Sequence, residues 1–310
     1  MKYNGPYVRL MCGPFFLAAL ARQPLGVSMS VATSAPSRFA LVVCAIVALC
    51  AGAAGLSQTA LAQDAPAKAP AQALTQAQMV DMLKVLDDRQ KNVGDYKALV
   101  VIDQKEKGKA QRVYEAVVYR RDAKDKMAIM FLRPKADAGK GYLRMNKNMF
   151  FYDPNVGKWE RRTERDSIGG TNSRGQDFDA SSLAADYDPS YVGLEKLGKF
   201  SVHHLKLKVK KGQDVAYPTL DIWVDVGSGN ILKLQEKALS GRLIRTSYYP
   251  KWMKVKNSKK KGGFVYVPKQ IRIFDEIEKS NTTTVVTRKV DVTPLKDNIF
   301  TKAWFESKSR

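Results

Sequence analysis

The sequence predicts a mainly β protein (α+β) in which about eleven antiparallel strands form one wide sheet that curls around an N-terminal helix. Three observations predict this fold. One amphipathic pattern with helical spacing precedes residue 90, apolar and polar residues then alternate through most of the chain from residue 95, and short turns separate the alternating runs. A sheet this wide tends to curl into a barrel or half-barrel. An apolar cavity beside the helix is therefore expected.

Residues 1–62 are predicted to be a targeting segment. An apolar run, Leu41–Ala54, follows Arg38 and is followed by small residues up to an expected cleavage site after Ala62, which is the layout of a secretory signal. A permanent membrane anchor is the alternative, and the start could be Met1 or Met29. All three cysteines lie in this segment, so the mature chain is compatible with an oxidising compartment. The expected location is the periplasm.

The remaining chain is predicted to contain a flexible spacer, 63–73, rich in Ala, Pro and Gln, and a single domain, 74–310. The domain opens with a helix, because Thr75 and Gln78 have the spacing of a capping box. Four apolar residues then recur with the spacing of one helical face: Met79, Met82, Leu83 and Leu86.

Alternation and turn residues predict the strands that follow. They are 96–104, 112–121, 126–133, a hairpin over 141–153, 202–210, 219–226, 231–239, 242–249, 264–274 and 282–292. The pattern breaks at 164–200, where Gly, Asp and Ser clusters flank a short helix expected at Ala180–Asp186. Long irregular segments in compact domains are often functional, so 164–200 is the candidate lid of the cavity.

The net charge of +22 suggests a negatively charged binding partner. Nucleic acid would suit basic stripes, but the predicted secretion disfavours it. An anionic membrane surface or a membrane transporter is the expected docking partner. The docking candidates are Lys206, Lys208, Lys210, Lys259, Lys260 and Lys261.

Enzyme and metal chemistry find little support in the residues. His203 and His204 are adjacent on a predicted strand, so they face opposite sides. Asp221 and Asp225 flank Trp223 on one strand face and could act as acid and base on a sugar, but a solvated face is the preferred interpretation of the pair. Four aspartates of the irregular segment lack the spacing of a dedicated calcium loop: Asp177, Asp179, Asp186 and Asp188. No catalytic residue, metal ligand or cofactor is predicted.

Several segments resemble one family. They read FLRPKADAGKGYLRMNKNMFFYDPNVGKWERR (131–162), GQDFDASSL (175–183), WVDVGSGNILKLQ (223–235) and FVYVPKQIRIFD (264–275). Over about residues 75–305 the chain resembles the LolA/LolB-like periplasmic lipoprotein carriers, and within them the outer-membrane lipoprotein-sorting proteins. The resemblance implies an unclosed antiparallel barrel wrapped over helices, with a cavity that receives acyl chains.

Methionine and aromatic residues cluster in the strands between residues 126 and 153 and are the candidates for lining that cavity, because flexible methionine suits a pocket for variable chains. They are Met127, Met130, Phe131, Met145, Met149 and Phe151. Alternation allows only a subset of them to face inward.

The sequence therefore predicts a monomeric, non-enzymatic carrier that binds the acyl chains of lipoproteins or lipids and passes them toward the outer membrane. The alternative is a lipid or lipoprotein sensor, or an adaptor of an envelope transport complex, that does not transfer its ligand.

Overall fold

The computed structural model describes residues 73–145, 148–163 and 165–309. The predicted targeting segment and nearly all of the spacer lie outside these residues. Thirteen strands form one antiparallel sheet. They are β1 (Asp95–Lys105), β2 (Arg112–Arg121), β3 (Lys126–Arg133), β4 (Gly141–Met145), β5 (Asn148–Asp153), β6 (Lys158–Arg162), β7 (Tyr187–Leu197), β8 (Phe200–Val209), β9 (Thr219–Asp225), β10 (Ile231–Lys237), β11 (Leu243–Lys256), β12 (Phe264–Asp275) and β13 (Thr282–Asp291).

The sheet consists of two wings that meet at one pair of strands. Strands β1 to β6 follow one another as a meander, which we call the N-terminal wing, and β7 to β13 form a second meander, the C-terminal wing. The wings join where β1 pairs with β13. β6 and β7 are the two edges of the sheet. The predicted mainly β fold, an antiparallel sheet that does not close, is thus confirmed.

Helix α1 (Gln76–Gln90) packs against the inner face of the C-terminal wing. The predicted capping box is present, because Thr75 accepts from the Gln78 N–H and the Gln78 side chain accepts from the Thr75 N–H. Met79, Leu83 and Leu86 are buried. They form an apolar cluster with inward-facing strand residues that include Leu205, Leu207, Leu220, Ile222 and Ile231.

Residues 165–182 lie along the chain between β6 and β7, which are the two edge strands, and we call these residues the crossing segment. Ile168 and Phe178 of this segment are buried in an apolar cluster that spans the N-terminal wing and the adjoining strands β12 and β13. The crossing segment therefore supplies apolar cover to the N-terminal wing and to β12 and β13, while α1 covers the remaining strands of the C-terminal wing. It is followed by α2 (Leu183–Asp186), which is shorter than the helix predicted over Ala180–Asp186.

A C-terminal helix, α3 (Lys302–Lys308), packs on the outer face of the N-terminal wing. Its Phe305 is fully buried beside Met130, Leu143 and Tyr152. Gly141 makes this approach possible, because a Cβ there would lie 1.9 Å from the Ile129 carbonyl oxygen and 2.8 Å from the Phe305 ring.

Several elements differ from the sequence prediction. The segment predicted as irregular over 164–200 contains the long edge strand β7, and β6 and α3 were not predicted. β11 continues through Pro250 to Lys256, further than the predicted end at residue 249. None of the helices that the structure describes is long and apolar enough to cross a membrane.

Candidate functional site

A cleft of about 710 Å³ lies between the C-terminal end of α1, the crossing segment and the loop 212–216, and residues of both wings line it. One part of its wall is apolar. That part includes Leu183, Val215, Ala216, Leu220, Ile231, Leu234, Tyr249 and Trp252. Its volume falls within the roughly 300–1,000 Å³ of small-molecule sites. Simple alternation would place Ile231 on the opposite face from Leu234, and Tyr249 on the opposite face from Trp252. An irregularity in the register of β10 and another in β11 lie between the members of each pair and allow both to line the cleft.

The opposite part of the cleft wall is charged, and we call it the polar pole. It contains Arg120, Asp122, Asp125, Arg144 and Asp179. Arg144 donates from both terminal nitrogens to the Asp179 carboxylate, each over 2.5 Å. Arg120 donates to Asp122 over 2.5 and 3.0 Å and to the Phe178 carbonyl over 2.9 Å. Burial raises the pKa of Asp179, and the neighbouring Arg144 opposes that rise.

A buried ion cluster fixes the crossing segment to the C-terminal wing. Arg245 of β11 donates to both carboxylate oxygens of Asp177, over 2.8 and 3.0 Å, and to Glu236 over 2.7 Å. It also donates to the Asn172 carbonyl over 2.9 Å. All three charged side chains are at most 3% exposed. Burial opposes the charge of Arg245, but the two carboxylates raise its pKa well above the ordinary value.

Helix α2 starts on a side chain of α1. The Asp87 carboxylate accepts from the N–H groups of Leu183 and Ala184, over 2.9 and 2.7 Å, and from the Ser181 hydroxyl over 2.5 Å. These are N–H groups that a helix leaves unpaired at its start. Burial raises the pKa of Asp87, although these hydrogen bonds counteract it. The two helices beside the cleft are therefore coupled.

The six predicted cavity residues do not line this cleft. Met127, Phe131 and Met149 are buried in the inner core of the N-terminal wing, and Phe151 packs against it. Met130 and Met145 lie on the outer face beside α3. Ile168 and Phe178 fill the space in front of the inner group. A role for these six residues in ligand binding stays a prediction, and the cleft has its apolar wall in the C-terminal wing.

The six lysines predicted to dock on a membrane differ in their exposure to solvent. Lys206, Lys208, Lys259 and Lys261 are exposed. Lys210 is half-buried and donates to the Ala184 carbonyl over 2.6 Å. Lys260 is 6% exposed and donates to the carbonyls of Asp88 and Lys91 at the end of α1. Lys260 is buried there because a helix end leaves carbonyls that need donors and its ammonium supplies them, and a role for it in docking stays a prediction.

The aspartates that flank Trp223 are also buried, which corrects the solvated face expected for them. Asp221 is 5% exposed, accepts from His204 over 3.1 Å and pairs with Lys237. Asp225 accepts from the Ser228 N–H over 2.7 Å and so stabilises the turn between β9 and β10. Both carboxylates therefore have structural partners.

No group of three or more His, Cys, Asp or Glu side chains suited to hold a metal ion occurs among the described residues. Three of the four aspartates that were considered as calcium ligands have other partners. Asp177 and Asp179 pair with arginines, and Asp186 accepts from the Ser182 hydroxyl. The expectation of no dedicated calcium loop stays a prediction.

The chain belongs to a family whose model, described as "Uncharacterized protein", matches residues 123–307. No curated protein matches its sequence. Among solved structures, it is similar to a LolA superfamily protein from Nitrosomonas europaea, with 19% identity and a TM-score of 0.62 over 75% of this chain and 100% of that one.

Two further structures share the fold. A DUF1329 family protein from Desulfovibrio piger is 17% identical, with a TM-score of 0.64 over 73% of this chain and 97% of that one. A domain described as an outer membrane lipoprotein-sorting protein, from Vibrio parahaemolyticus, is 17% identical, with a TM-score of 0.61 over the same shares. The predicted resemblance to the LolA superfamily is confirmed at the level of the fold.

Proposed function

We propose that the protein is a periplasmic carrier that binds acyl chains of lipoproteins or lipids in the cleft beside α1 and delivers them toward the outer membrane. The observation that carries the proposal is the cleft of about 710 Å³ with an apolar wall on the inner face of the C-terminal wing. The shared fold with a lipoprotein-sorting domain supports the same class of ligand.

The chemistry of such a carrier is burial. Each methylene group removed from water contributes about 0.8 kcal/mol, so a chain of several methylenes is retained without any covalent step. Leu220, Ile231 and Leu234 give the chain an apolar wall. The proposal assigns no catalytic role, because the charged groups at the polar pole are engaged in ion pairs with one another.

Release requires contact with a membrane or an acceptor. Four exposed lysines, Lys206, Lys208, Lys259 and Lys261, are available for anionic head groups. Each basic residue near such a surface contributes about 1 kcal/mol. The proposed docking partner is thus an anionic envelope membrane or a transporter within it.

The proposal is tested with protein purified from the envelope of its native cells. Organic extraction followed by mass spectrometry is expected to recover about one lipid or acylated peptide per chain, and purified protein is expected to move a fluorescent lipid between vesicles. Recovery of no lipid, together with no binding of a fluorescent fatty acid, would contradict the proposal. Saturable binding without transfer between vesicles would instead support the sensor or adaptor function.

A further inference from the structure

The polar pole contains a guanidinium that faces the cleft and is occupied by a carboxylate of the protein itself. Arg144 and Asp179 both line the cleft, and their side chains are 10% and 16% exposed. Two parallel hydrogen bonds of 2.5 Å join them. This fork geometry fits a carboxylate and a phosphate equally well.

Asp179 approaches Arg144 from a different part of the chain. Arg144 is on β4 of the N-terminal wing, whereas Asp179 is on the crossing segment. Arg120 lies close enough to Asp179 to lower its pKa, so two guanidinium groups act on one carboxylate. The pairing depends on the position of the crossing segment, and an anion from another molecule could satisfy the same donors.

Replacement of the Asp179 carboxylate by a ligand anion of the same charge leaves the net charge beside Arg144 unchanged. At the polar pole Arg120 and Arg144 face three carboxylates, those of Asp122, Asp125 and Asp179, and Lys126, next to Asp125 in the chain, also lines the cleft. Asp125 also pairs with Arg144, over 3.2 Å, but only Asp179 accepts from both terminal nitrogens. Loss of that two-point partner by a buried guanidinium is unfavourable, so departure of Asp179 favours a replacement anion. An incoming anion that takes its place restores the original balance.

We propose that Arg144, supported by Arg120, is the binding site for the anionic head group of the ligand, and that Asp179 occupies this site when no ligand is present. The inference rests on the proposed function, since the acyl chain would lie along the apolar wall while its head reaches the polar pole. It names the ligand class as a single-headed amphiphile with a carboxylate or a phosphate. An amphiphile with a neutral head group gains no ion pair with Arg144.

The test compares three amphiphiles of equal chain length: decanoate, decyl phosphate and decanol. Affinities are measured by displacement of a fluorescent fatty acid from the mature protein. In the Asp179→Asn variant both anions are expected to bind about tenfold more tightly than in the unaltered protein, because a charged hydrogen-bonding site is no longer contested. Decanol is expected to bind equally to both. The comparison of decanoate with decyl phosphate shows which anion the site prefers.

The matched control is Asp186→Asn, which also removes one negative charge from the cleft wall but leaves the pair between Arg144 and Asp179 intact. It is expected to change the anion affinities less than threefold by general electrostatics. Equal effects of the two variants, or no change in anion affinity in Asp179→Asn, would overturn the inference.

A second variant keeps the inference testable if Asp179→Asn does not fold. In Arg144→Gln the ratio of anion to alcohol affinity is expected to fall to about one, and a preserved anion preference would overturn the inference. Failure of decanol and both anions to bind the unaltered protein would refute the proposed function itself, which is a different result from equal binding of all three.

Discussion

Replacement of Arg245 by methionine is expected to lower the free energy of unfolding by about 3–5 kcal/mol. The variant leaves the carboxylates of Glu236 and Asp177 in the interior without the guanidinium that now pairs with both. It also removes the hydrogen bonds that Arg245 donates to the Asn172 carbonyl and to the Asp177 carboxylate, so the crossing segment is held less firmly to the C-terminal wing. Urea unfolding followed by tryptophan fluorescence measures the loss.

The matched control is Arg272→Met, at an exposed position of the neighbouring strand β12, where a change within about 0.5 kcal/mol is expected. A triple variant, Arg245→Met with Glu236→Gln and Asp177→Asn, separates the two causes. If uncompensated charge causes the loss, the triple variant recovers much of it. A loss below about 1 kcal/mol in Arg245→Met would contradict the assigned role of the cluster.

The second large effect concerns the apolar wall of the cleft. Leu234→Glu is expected to weaken acyl-chain binding by about a hundredfold or more, because a bound chain would cover a carboxylate that has no partner there. Leu234 is on β10 and only partly buried without ligand, so the ligand-free fold is expected to tolerate the change. Displacement of a fluorescent fatty acid measures affinity, and thermal unfolding verifies the fold.

The same substitution elsewhere provides the control. Leu132→Glu lies on β3 at a position that is 42% exposed and does not line the cleft, and its affinity is expected to match that of the unaltered protein. If Leu234→Glu folds and binds as tightly as Leu132→Glu, the apolar wall of the C-terminal wing is not the ligand site.

The regular elements of this fold follow from local sequence rules. The ends of β2 and β3 match their predicted limits, because sharp turns bound both strands. The capping box located the start of α1. β7 escaped prediction because Pro189 and Gly193 disfavour strand structure, and only an edge strand tolerates such a proline. β6 escaped because its five residues, KWERR, show no alternation.

The candidate site could be predicted only in outline. Alternation predicts which residues share a face of the sheet. It does not predict which strands the crossing segment covers, because that depends on where Ile168 and Phe178 pack. The buried arginines did leave a signal. Arg120 continues the inward positions of Tyr114, Ala116 and Val118, and a charge in such a series indicates a buried partner. The identity of that partner was not readable from sequence.

The central claim is that the acyl chain lies between α1 and the C-terminal wing. It is tested most directly with a fatty acid that carries a photoreactive diazirine at the end of its chain, irradiated in complex with the mature protein and mapped by peptide mass spectrometry. We expect the label within residues 219–252, around Leu220, Ile231 and Trp252. Label confined to the strands between residues 127 and 151, or no more label than with excess unlabelled competitor, would contradict it.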